Sequence, residues 1–98
     1  MELRHYSADE VHAALDWRTL TEALREAFRQ GASAPLRHVH VVNESEGARL
    51  LLMPAWRAGR ELGVKLVSVF PRNAERGVAA VSALYVLMDG TTGHPRAL

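Results

Sequence analysis

Lys65 stands among apolar residues in the run Val64-Lys65-Leu66-Val67-Ser68-Val69-Phe70. In an extended chain it shares a face with Val67 and Val69, while Val64, Leu66, Ser68 and Phe70 point the other way. Apolar residues on both faces predict a strand covered on both sides. An ammonium there must meet an anion or carry a desolvation cost that lowers its pKa. Lysines so placed bind carboxylates, donate protons or form imines. The competing reading runs the lysine stem along a sheet edge and leaves the amine in water. Arg37, shortly after Pro35, opens an alternating stretch. Its guanidinium can clamp a carboxylate with two parallel hydrogen bonds, or simply be solvated. Arg37 and Lys65 together would make a cationic pocket for a small carboxylic acid, although no spacing in the sequence requires them to meet.

Other chemistry is less well supplied. His38 and His40 fall two apart on one strand face, a spacing that suits a shared metal. Cysteine is absent, no carboxylate lies in register, and Glu44 and Glu46 sit in the turn beyond. Half-buried sheet histidines are therefore expected, with no metal. The glycines at 31, 47, 59, 63, 77, 90 and 93 fit neither G-x-G-x-x-G nor a P-loop. None of the serines lies in a G-x-S-x-G elbow.

Two helices lead the chain. Ser7-Ala8-Asp9-Glu10 has the form of a capping box, with Tyr6 and Val11 at the staple positions. A second helix starts at Asp16 and stops at Gly31. Its apolar stripe runs through Trp17, Leu20, Ala23, Leu24, Ala27 and Phe28, and is expected to be core. From Pro35 the period changes to two. Strands are expected at Arg37–Val41, Ala48–Met53 (ended by Pro54), Leu62–Phe70 and Val81–Met88. Asp89-Gly90-Thr91-Thr92-Gly93 is a hairpin connection, and Arg96-Ala97-Leu98 opens a return strand. Four strands and two leading helices without βαβ alternation predict an α+β domain, helical over 1–34 and a mainly antiparallel or mixed sheet over 35–98.

Composition bounds the rest. Ninety-eight residues make one domain at most, burying roughly 65% of the unfolded surface. Twelve Lys+Arg against eleven Asp+Glu give a net charge of +1, without the basic excess that marks nucleic-acid binding. The absence of cysteine excludes disulfides, thiolate zinc sites and a cysteine nucleophile. No apolar run approaches the ~18 residues of a membrane span. Met1-Glu2-Leu3-Arg4-His5 lacks the order of a secretory signal. A reduced, cytoplasmic compartment is expected.

The ordered set of features resembles the N-terminal portion of the ornithine cyclodeaminase/mu-crystallin family of NAD(P)-dependent proteins. The set begins with Ser7…Glu10, Asp16-Trp17 and Leu24-Arg25-Glu26-Ala27-Phe28, then Arg37 and Leu52-Met53-Pro54. It continues with Gly63-Val64-Lys65-Leu66-Val67, then Pro71, Asn73, Gly77 and Val81, and closes with Met88-Asp89-Gly90-Thr91-Thr92-Gly93-His94-Pro95. The resemblance implies the incomplete first part of a larger two-domain protein, whose dinucleotide-binding domain lies outside this chain. Residues 1–98 would be a partial substrate-binding and dimerisation domain. It also implies that Arg37 holds the carboxylate of an amino or imino acid, that Lys65 binds substrate and assists proton transfer, and that Met53 lies near the pocket. NAD or NADP would serve the full-length protein, with none expected for this chain alone, and a homodimer would form through the sheet. Ala80 stands where the family commonly has a hydroxyl residue, and Ala79 where proline is frequent. The alternative is a non-catalytic dimerisation or small-anion-binding module.

Overall fold

The computed structural model describes residues 3–98; of the N-terminal stretch read above for a secretory signal, Met1-Glu2 lies outside them. Helix α1 (Ala8–Ala14) begins at Ser7, whose side chain accepts from the Glu10 N–H at 3.1 Å while the Glu10 carboxylate accepts from the Ser7 N–H at 3.2 Å. The expected capping box is therefore formed. Helix α2 (Trp17–Gln30) is capped by Asp16, which accepts from both the N–H and the hydroxyl of Thr19 at 2.8 Å. It ends at Gly31, whose φ of 75° suits glycine.

The remaining chain folds as a meander. Strands β1 (His38–Asn43), β2 (Ala48–Arg57), β3 (Glu61–Val69), β4 (Val81–Asp89) and β5 (Pro95–Ala97) lie side by side in chain order, each antiparallel to its neighbour. The mixed element anticipated in the sheet is one parallel bridge, Arg4 to Ala97. It is tied by Tyr6 N–H to Leu98 C=O (3.0 Å) and Leu98 N–H to Arg4 C=O (2.9 Å). The α+β class is as expected, with Pro95–Ala97 completing a fifth strand.

Three local differences have physical causes. Strand β2 does not stop at Pro54 but runs on to Arg57, with Pro54 opposite Val64. Trp56 exchanges 2.9 Å bonds with Ser33 on the edge away from β3. By the two-residue period Pro54 faces the same edge, beyond the start of β1, where its missing N–H costs no ladder bond. Between β3 and β4 the chain forms a 3₁₀ helix, Pro71–Arg76, that the pattern did not suggest. Asn73 organises its exit: its amide donates to Ala79 C=O (3.1 Å) and its C=O accepts from Val78 N–H (3.0 Å). Gly77 makes the left-handed turn at φ 69°.

The third difference is the larger one. Among the described apolar residues only Ala48 and Val67 are buried, and the α2 stripe expected to be core is open, with Trp17 and Phe28 each 83% exposed. Helix α2 is anchored at its C-terminal end, by Gln30 to Arg57 and Arg60 and by the Ser33–Trp56 bridge. Apolar surface on α2 and on the sheet stays open among the described residues. The radius of gyration is 15.9 Å, against about 13 Å for a compact domain of this length.

Candidate functional site

The register of the sheet places the candidate residues. Met53 on β2 stands opposite Lys65 on β3, and Lys65 opposite Tyr85 on β4. Directly paired residues share a face, so the three form one row across the sheet. His38, the first residue of β1, pairs with Leu52, and Arg37 immediately precedes that strand. The paired row is Met53, Lys65 and Tyr85, with Arg37 next to the β1 end of it. Strands β1 and β3 lie two strand spacings of about 4.8 Å apart, with Met53 on the strand between them.

The covered-strand expectation for Lys65 does not hold. β3 is central and carries the buried Gly63 and Val67, but the Lys65 side chain is exposed. Among the described residues it has no ion pair or side-chain hydrogen bond. The amine therefore stands in solvent. Arg37 is likewise exposed.

The histidines fall on the other side. His38 pairs with Leu52, Leu52 with Leu66 and Leu66 with Leu84, a row on the face opposite Lys65. The His38 and His40 rings stand 6.3 Å apart, and both residues are exposed rather than half buried. Among the described residues no third carboxylate, thiol or imidazole joins them.

Tyr85 is the member of the row that the sequence pattern missed. Its ring lies over Gly63, so that a Cβ at that position would overlap the phenol. The signal was the glycine itself, one alternate position from Lys65 within the strand Glu61–Val69. Tyr85 also lines a groove of about 600 Å³ between β4, β5 and α1, with Ala83, Leu87, Val11 and His12.

The turns nearest this row are built firmly. Arg57 donates from Nε to Glu61 at 2.9 Å and from a second nitrogen to the same carboxylate. That hydrogen bonding holds Glu61 below the usual carboxylate range. Asp89 accepts from the N–H groups of Thr91 (2.8 Å) and Thr92 (3.0 Å), and these bonds hold its carboxyl low.

The profile of the ornithine cyclodeaminase/mu-crystallin family matches residues 3–98. The chain belongs to that family. An uncharacterized protein of Schizosaccharomyces pombe is 38% identical over 92 residues, 89% of this chain and 28% of the relative. The Δ1-pyrroline-2-carboxylate reductase of Bacillus cereus is 36% identical over 78 residues, 78% of this chain and 23% of that enzyme. Among solved structures, the Δ1-pyrroline-2-carboxylate reductase of Thermococcus litoralis, in complex with NADH and L-proline, superposes with a TM-score of 0.77 at 27% identity. That match covers 99% of this chain and 31% of the reductase. The chain thus spans 23–31% of the length of these relatives. Its own residues do not fit a dinucleotide. All neighbouring strands are antiparallel, and no glycine-rich turn links a strand to a following helix among the described residues.

Proposed function

We propose that this member of the ornithine cyclodeaminase/mu-crystallin family is the substrate-binding and dimerisation segment of an NAD(P)-dependent enzyme acting on an amino acid or a cyclic imino acid. The observation that supports the reading is the pairing of Met53 with Lys65 on one sheet face, with Arg37 immediately before the neighbouring strand β1. Arg37 clamps the substrate carboxylate through its planar fork. Lys65 supplies a second positive charge and a movable proton beside the carbon that changes hybridisation. Met53 packs against the apolar part of the substrate. The L-proline held by the Thermococcus litoralis reductase is an acid of this class. The dinucleotide supplies hydride chemistry from a domain outside this chain.

In the enzyme that carries this segment with its dinucleotide domain, Lys65→Ala lowers kcat by about a hundredfold or more. Arg37→Ala raises KM. Unchanged turnover after Lys65→Ala removes the assigned role.

Dimerisation has its own support. The chain exposes 7704 Å², whereas a compact monomer of this mass exposes about 5,500 Å². The excess of roughly 2,000 Å² is of the size that obligate dimers cover. No described helix is long and apolar enough to cross a membrane. A second reading, a non-catalytic pairing or small-anion-binding module, draws on the poor fit to a dinucleotide. Titration of the chain with NADPH tests both accounts, since tight binding without a partner chain contradicts each of them.

A further inference from the structure

Tyr85 belongs to two features at once. Through its register with Lys65 it ends the paired row, and with Ala83 and Leu87 of the same face it lines the groove beneath α1. The ring lies over Gly63, a position where only the absence of a side chain leaves room for it. Yet the residue is 54% exposed, and its hydroxyl makes no hydrogen bond among the described residues. A large aromatic group that is closely seated, half open and unpartnered offers its surface to something other than its own fold.

We propose that Tyr85 is a specificity-determining wall. Its ring closes the Lys65 end of the site against the groove, and so limits the bulk of the α-substituent on a bound acid. The proposal rests on the carboxylate-binding role given above to Arg37 and Lys65. Removing the ring joins the site to the groove of about 600 Å³, whose walls include Val11, His12, Ala83 and Leu87. An acid carrying a second fused ring then has apolar surface to fill.

Pyrrole-2-carboxylate and indole-2-carboxylate make the test, because they share the acid and the ring N–H and differ by one fused benzo ring. Calorimetric titration of the chain is expected to favour the pyrrole acid by about tenfold or more. Tyr85→Ala reverses or erases that ratio through a gain for the indole acid. Tyr85→Phe keeps the ring and behaves as the parent, which separates the wall from any role of the hydroxyl. Gly63→Ala pushes the ring aside and relaxes the ratio in the same direction, but adds nothing in the Tyr85→Ala background. If the pyrrole acid binds in an Arg37-dependent way and the ratio is unmoved by Tyr85→Ala, the wall is refuted and the site stands. If neither acid binds the parent chain, the site reading fails and the wall with it.

Discussion

Arg37 and Lys65 are not equivalent charges. The guanidinium offers a rigid pair of donors, the ammonium a compact charge on a flexible stem. Arg37→Lys keeps the charge and loses the fork, so affinity for pyrrole-2-carboxylate should fall by about tenfold in a calorimetric titration. Equal affinity would make Arg37 a general electrostatic contributor only. At this scale the sequence was partly legible. Lys65 stands out because an ammonium among valines is unusual, but the fold leaves it solvated rather than desolvated. Alternation shows which residues share a face and not whether anything covers that face. The adjacency of Met53, Lys65 and Tyr85 depends on register across three strands, which no local spacing encodes.

Elements were legible where the signal was local. Ser7-to-Glu10 and Asp16-to-Thr19 hydrogen bonds form at three-residue spacing, so caps can be read directly. Pro54 misled because its acceptability depends on which sheet edge its nitrogen faces. The hairpin Asp89–Gly93 is packed against the β2–β3 turn. A Cβ on Gly90 would stand 2.6 Å from the Arg60 carbonyl carbon and 2.7 Å from the Glu61 nitrogen, both backbone atoms that cannot swing away. Gly90→Ala should therefore cost about 2 kcal/mol in urea unfolding. Asp16, Glu61 and Asp89 are all held below their ordinary values, by hydrogen bonds from Thr19, from Arg57, and from Thr92 and Thr91 respectively. For a carboxyl group with a depressed folded-state pKa, the stabilisation is full above the unfolded value of about 4 and is lost as pH falls through the folded value. Thermal midpoints measured between pH 7 and pH 2 should be flat above about pH 5 and then decline. A midpoint that rises on acidification would contradict these assignments.

For the molecule as a whole, the governing fact is uncovered apolar surface. The stripe on α2 has the period of a core helix, yet Trp17 and Phe28 stand open. Periodicity reports that a face is to be buried but does not report by what. Light scattering on the eluted chain should give twice 10.8 kDa, and Trp17→Glu should shift it toward the monomer if α2 lies in the interface. A monomer at all concentrations would contradict dimerisation through these faces.

The most direct measurement is a titration of the ¹⁵N-labelled chain with pyrrole-2-carboxylate, followed residue by residue. The account predicts shifts clustered at Arg37, Met53, Lys65 and Tyr85, abolished by Arg37→Ala and by Lys65→Ala. Shifts centred on the His38–His40 face, or binding indifferent to both substitutions, would contradict it.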